Sequence, residues 1–149
     1  MTRIAVDGID GAGKTTFAAR LAEVLQARIV ALDDFLRPEE ERYRRGRDSP
    51  EGYYHDSFDY ERFRRAVVDG SDPVVAEGVF MQRRELDDLW DLRIWLEVEW
   101  ATALERAVSR DKAWMPEARG RYERRYHAGQ RLYVAEVDPK GRADIVVAG

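Results

Sequence analysis

The chain has 149 residues, 36% of them charged, a net charge of -4 and no cysteine. That length suits one domain with one active centre, and the lack of cysteine excludes disulfides, thiolate metal sites and cysteine nucleophiles. An acidic balance argues against a general nucleic-acid or membrane binder. No run approaches the roughly eighteen apolar residues of a membrane span, so a cytoplasmic protein is expected.

Five apolar, β-branched runs read as strands, over residues 3–7, 28–32, 73–77, 93–98 and 143–147. With the first strand expected from residue 3, no targeting peptide is expected ahead of it. It is followed by a glycine-rich turn and then a helical pattern that places Phe17, Leu21, Val24 and Leu25 on one face. Residues 33–58 lack clear periodicity and read as a long loop, in which Tyr53, Tyr54 and His55 suit either core or surface packing. A second helix runs from an Asp59 cap to a Gly70 stop, and a third shows Trp100, Leu104, Ala107 and Val108 at helical spacing. A further helix starts at Pro116-Glu117. Alternating strands and helices predict an α/β fold, a parallel sheet covered on both faces.

The turn after the first strand is Gly8-Ile9-Asp10-Gly11-Ala12-Gly13-Lys14-Thr15, which fills every fixed position of G-x-x-x-x-G-K-[ST]. Glycines let backbone N–H groups turn inward around phosphate oxygens, and Lys14 adds a mobile positive charge. Thr15 can complete a Mg2+ shell, and a helix opening at Lys14 adds its positive end. Only Lys14, Lys112 and Lys140 are lysines among the 25 basic residues, so the lysine in this loop stands out. A nucleoside triphosphate is the expected ligand.

Ligands of parallel sheets collect at the carboxyl ends of the strands. Strand two ends in Leu32-Asp33-Asp34, strand three in Ala76-Glu77-Gly78, and strand four near Glu97 and Glu99. Carboxylates converging on triphosphate call for Mg2+ between them. Two arginine concentrations follow different logic. The run Arg42-Tyr43-Arg44-Arg45-Gly46-Arg47 suits a solvated face or a phosphate or nucleic-acid site. In the second, Arg121, Arg124 and Arg125 share an arc of about 100° on a helix. They could close over a triphosphate, or simply pair with Glu117 and Glu123.

These stretches, together with His55-Asp56-Ser57-Phe58-Asp59, Arg110-Asp111, Arg119-Gly120-Arg121 and the run from Arg142 to Val147, resemble the uridine kinase and phosphoribulokinase group of P-loop kinases, especially its short uridine-kinase-like members. The resemblance spans nearly the whole chain and implies a P-loop NTPase three-layer α/β/α sandwich with a five-stranded parallel sheet. It implies ATP and Mg2+ as cofactors, and roles for particular residues. Gly8, Asp10, Gly11, Ala12, Gly13, Lys14, Thr15 and Thr16 would bind nucleotide, with Lys14 bridging the β- and γ-phosphates and Thr16 reaching an α-phosphate. Asp33 rather than Asp34 would be the general base, and Thr15 and Glu77 would hold Mg2+. Asp56 would bind ribose hydroxyls of the acceptor, and Arg110, Arg119 and Arg121 would belong to a lid at about 106–126.

The implied reaction moves the γ-phosphoryl of ATP to a hydroxyl of a small molecule, a uridine- or cytidine-like nucleoside in the first place. Nicotinamide riboside, pantothenate or another alcohol is the alternative acceptor, and a nucleotide-binding regulatory module the alternative class. Guanine specificity lacks its Asn-Lys-x-Asp sequence. One departure falls on the acceptor side: Ser71-Asp72-Pro73 leads straight into strand three, where fuller nucleoside kinases insert a wall for the base. The expected substitute is the 36–58 segment, with Tyr53, Tyr54 and His55, unless the acceptor is smaller or catalysis is lost. Little chain follows strand five to form an adenine loop, and Tyr126-His127-Ala128-Gly129-Gln130 has no assigned role.

Overall fold

The computed structural model of the protein describes residues 2–149. Strands β1 (Arg3–Asp7), β2 (Arg28–Ala31), β3 (Val74–Gly78), β4 (Leu92–Glu97) and β5 (Ile145–Ala148) form one five-stranded sheet in the order β2-β3-β1-β4-β5. Every pairing is parallel. The five expected strands are present with shifts of one or two residues at their ends. Alternate residues of the central strands serve opposite faces. Ile4, Val6, Val75, Ile94 and Leu96 pack with Ala18 and Ala22 of α1 (Lys14–Leu25), while Ala5, Val74, Ala76 and Trp95 pack with Phe63 and Val67 of α4 (Tyr60–Val68). Both faces are covered, which makes the α/β/α sandwich that the alternation predicts.

Helix α1 buries a different stripe from the expected one. Ala18 and Ala22 face the sheet, Phe17 and Leu21 are half-buried, and Val24 is 80% exposed. Two alanines let the helix approach the strands closely, and the larger side chains flank that contact.

The 33–58 segment is not one loop. It holds a 3-10 turn at Leu32–Phe35, then α2 (Glu39–Arg42) and α3 (Pro50–Asp56). The start of α3 follows the usual rule for helix entry. Pro50 occupies the first turn, and the Ser49 hydroxyl caps it by accepting the Gly52 N–H at 3.0 Å. Tyr53 and Tyr54 are buried in a cluster with Phe58, Phe80 and Tyr133.

Helix α4 matches its expected limits, with the Asp59 carboxylate accepting the Arg62 N–H at 3.0 Å. The chain then passes β3 and β4 to α5 (Trp100–Asp111). A nearly continuous helical rod follows: α6 (Ala118–Arg121), a π-helical turn at Tyr122–Tyr126 and α7 (His127–Val137). The short α8 (Pro139–Arg142) leads into β5. Gly129 lets α7 approach α3, because a Cβ there would lie 2.9 Å from both the Pro50 carbonyl oxygen and the Tyr53 ring.

Candidate active site

The order β2-β3-β1-β4 means that the connection leaving β1 runs to one sheet edge and the connection leaving β3 runs the other way, and a ligand crevice opens at such a switch point. A cleft of about 720 Å³ occupies that position. Asp10, Gly11, Gly13, Lys14, Thr15 and Thr16 line it from the loop after β1, Asp33 from the turn after β2, and Glu77 from the end of β3. Register brings them together: Glu77 pairs with Val6 on one side and Ala31 on the other, so three strand ends meet at one level.

The loop itself is built by backbone conformation. Gly11 has φ +95°, and a Cβ there would come within 2.3 Å of the Ala103 carbonyl oxygen on α5, so no other residue fits. Lys14 folds back over the loop, its Nζ donating to the Ile9 carbonyl at 3.0 Å. Gly8 and Ala12 frame the loop without lining the cleft. The Ala12 side chain belongs to the α1-side core, and its N–H donates to the Ile9 carbonyl at 3.1 Å.

Lys14 opposes the charge of both carboxylates here, and Arg110 adds to it at Asp33. Desolvation in the crevice raises Asp33 above its ordinary value, with Asp10 adding to the effect. Glu77 is buried and likewise raised by desolvation, opposed by Lys14 and reinforced by Asp33 and Asp10. Asp33 and Asp34 are both open to solvent, but only Asp33 lines the cleft, where neighbouring groups crowd its carboxylate. Glu97 is drawn out of the acidic group by Lys140, whose Nζ lies 2.5 Å from it, and Glu99 is an exposed residue at the start of α5.

Several residues expected at the site lie elsewhere. Asp56 is buried, 2.9 Å from Arg45 and 3.3 Å from Arg44, and does not reach the cleft. Tyr54 and His55 border a separate recess of about 280 Å³ with Arg83, Glu85, Glu136 and Arg142. The helical phase of α3 explains this: Tyr53 faces the cleft, so its two successors turn away. Of the three lid arginines only Arg110 lines the cleft, its guanidinium held by Asp111 at 2.9 Å and by the Tyr122 hydroxyl at 2.7 Å. Arg119 is exposed and paired with Glu105 at 2.9 Å. Arg121 is buried and donates to the Arg47 carbonyl at 2.6 Å and to the Tyr43 and Tyr126 hydroxyls at 3.0 Å each. It ties the helical rod to the 43–48 segment rather than standing free.

The 36–58 segment and the lid region do supply lining, through residues other than those singled out as binding. Arg42, Tyr43, Ser57 and Phe58 form one wall with Arg125 and Tyr126, and Trp114, 70% exposed, stands at the rim with Met115. The unassigned segment Tyr126–Gln130 supports the phosphate loop. His127 donates from Nε2 to the Asp10 carbonyl at 2.9 Å, and burial lowers its pKa, which favours the neutral ring. Gln130 bonds the same residue twice. One turn further on, the Tyr133 hydroxyl donates to Asp7 at 2.5 Å behind the loop.

A parallel sheet of this order, with a G-x-x-x-x-G-K-T loop between β1 and α1, Asp33 after β2 and Glu77 at the end of β3, is the arrangement of the P-loop kinase fold. Comparison with solved structures agrees. The chain superposes on a possible uridine kinase from Bacillus stearothermophilus at TM-score 0.76 and 21% identity, covering 98% of this chain and 88% of that one. A candidate fructose transport system kinase from Silicibacter sp. aligns at TM-score 0.76 and 23% identity, with 97% and 88% covered. A gluconokinase from Sinorhizobium meliloti aligns at TM-score 0.62 and 20% identity, with 98% and 81% covered. No family model and no curated protein matches the sequence. The chain therefore has the P-loop kinase fold, shared with kinases whose named acceptors differ.

Proposed function

We propose that this protein is an ATP-dependent kinase for a small molecule bearing a hydroxyl group. The observation that carries this reading is the convergence of Lys14, Thr15, Asp33 and Glu77 on one cleft at the strand ends. A module that only binds nucleotide needs the first two. A carboxylate at Asp33, held above its ordinary pKa in a crevice beside the phosphate loop, suits a general base.

In this reading the loop N–H groups and Lys14 hold the triphosphate. Asp33 takes the proton of the acceptor hydroxyl as its oxygen attacks the γ-phosphorus, and the bond to the bridging oxygen breaks to release ADP. Positioning and charge neutralisation supply most of the acceleration. Thr15 and Glu77 suit Mg2+, since both line the cleft and Glu77, raised by burial and further by Asp33 and Asp10, would gain from a cation beside it. Among the described residues no group of three or more His, Asp or Glu closes on a metal by itself. Mg2+ ordinarily takes one or two protein ligands and completes its shell with phosphate and water. When bound it would neutralise charge on the β- and γ-phosphates.

Arg110 is the one expected lid arginine available to the phosphates. A nucleoside acceptor loses the residue expected to hold its ribose, because Asp56 is committed to Arg44 and Arg45. The same ion pairs and the inward course of Arg42 leave little of the basic run for nucleic acid. Among the described residues no helix is long and apolar enough to cross a membrane. Mg-ATP-dependent chemistry of this kind fits the cytoplasm.

The test is acceptor-dependent ADP formation. Mg-ATP is supplied with a panel of nucleosides, sugars, sugar acids and pantothenate, and both ADP and phosphorylated product are followed. Equimolar ADP and product from one acceptor class is expected. ATP binding with no transfer to any acceptor would favour the regulatory module instead.

A further inference from the structure

The wall opposite the strand-end carboxylates is basic and short of counter-charge. Arg125 is 1% exposed and lines the cleft, yet its partners are all neutral: the carbonyls of Arg42 at 3.0 Å, Ser49 at 3.1 Å and Gly46 at 3.5 Å, and the Ser57 hydroxyl at 3.2 Å. Its Nε has no hydrogen-bond partner. Burial accordingly lowers its pKa below the usual guanidinium value. Arg42 lines the same wall; its Nε is also unpartnered, and among the described residues no carboxylate pairs with it.

The surroundings add charge of the same sign. The guanidiniums of Arg42, Arg47, Arg121 and Arg125 lie 4.7–5.5 Å from the centre of the Tyr43 ring. Asp48, 3.6 Å from Arg121 and shared with Arg124, is the carboxylate that the described residues supply to this group. A buried guanidinium held only by dipoles costs folding free energy that a counter-ion offsets. The planar fork of arginine matches carboxylate and phosphate oxygens and gains nothing comparable from a neutral polyol. Tyr53 links the two walls: its ring centre is 5.7 Å from the Arg125 guanidinium, and it lies within electrostatic reach of Asp33.

We propose that the acceptor is an alcohol carrying an anionic group, a carboxylate or a phosphate monoester, which docks on Arg42 beside Arg125 while its hydroxyl is presented to Asp33. This rests on the kinase reading for the hydroxyl but not for the anion site. Arg42 selects the acceptor, and Arg125 holds the 42–57 segment in place while adding to the potential.

The test separates the two claims. Binding is measured by calorimetry at constant ionic strength with ADP filling the phosphate loop, so that charged probes cannot bind there. The probes are matched pairs: gluconate and glucitol, pantothenate and pantothenol, ribose 5-phosphate and ribose. At least one charged member is expected to bind about tenfold to a hundredfold more tightly than its neutral partner. The first two pairs against the third tell carboxylate from phosphate.

Arg42→Gln is expected to erase that difference without changing ADP affinity, since its side chain holds no ion pair to lose. Arg125→Lys, which keeps the charge, guards against misfolding and is expected to weaken charged probes only. Equal binding within every pair, including no binding by any charged member, overturns the proposal. So does an Arg42→Gln variant that loses ADP affinity while keeping the preference. A charged probe that binds through Arg42 but is never phosphorylated would count against the kinase reading and leave the anion site intact.

Discussion

Gln130 holds Asp10 at two points: its Oε1 accepts the Asp10 N–H at 2.8 Å, and its Nε2 donates to the Asp10 carboxylate at 2.7 Å. His127, one turn earlier on the same helix, donates to the Asp10 carbonyl. The second variable position of the phosphate loop is thus fixed by a helix some 120 residues away in sequence. The same rod carries Arg121 and Arg125, which hold the 42–49 segment on the other side of the cleft.

Truncation of Gln130 should therefore act on nucleotide binding. Gln130→Ala is expected to weaken ATP affinity about tenfold, as buried hydrogen bonds to the loop are lost. Titration with ATP, with circular dichroism to confirm the fold, measures it. Unchanged affinity would mean that the loop holds its shape without the helix.

Asp7 makes a prediction about pH. It is wholly buried beneath the loop, and burial pushes its carboxyl up to about 6 from the ordinary 3.8, against the bond from Tyr133. Between these values the unfolded chain releases the proton while the native protein keeps it, so stability falls as pH rises through about 4 to 6 and levels off above. The group's share is on the order of 3 kcal/mol. Asp7→Asn cannot ionise. The stability difference between wild type and variant, from urea midpoints at pH 4 to 7, should shift across that window in favour of the variant.

Gly129 tests how closely α7 and α3 must pack. A Cβ at this position would press on the Pro50 carbonyl and the Tyr53 ring at 2.9 Å. Gly129→Ala is expected to destabilise the protein by about 1–3 kcal/mol despite the better helix propensity of alanine. Because Tyr53 lines the cleft, acceptor affinity should fall as well. Chemical denaturation and acceptor titration provide the two readouts.

The strand-end half of the candidate site was legible because it is local. The glycine pattern lies between a strand and a helix, Asp33 follows the apolar edge strand β2 and Glu77 lies at the end of the buried strand β3, so parallel pairing brings them together. The acceptor half depends on helix phase and long-range ties. Nothing in Gly52-Tyr53-Tyr54-His55-Asp56 tells which tyrosine faces the cleft until α3 packs on α7. Asp56 looked available until Arg44 and Arg45 closed on it. Ser49-Pro50 did carry a readable helix start, obscured by the charged run before it. Gln130 and His127 had no signal of their own, since their partners are mainly backbone groups of a loop more than a hundred residues earlier.

The most direct test of the central claim is Asp33→Asn assayed beside wild type and Lys14→Ala for product formation and ATP binding. Asp33→Asn should bind ATP normally and lose about a hundredfold to ten-thousandfold in turnover, while Lys14→Ala should lose ATP affinity. Wild-type turnover should fall with acidity at a pH above that of an ordinary aspartate, because the crevice raises the Asp33 carboxyl. Product formation by Asp33→Asn at the wild-type rate would contradict the account.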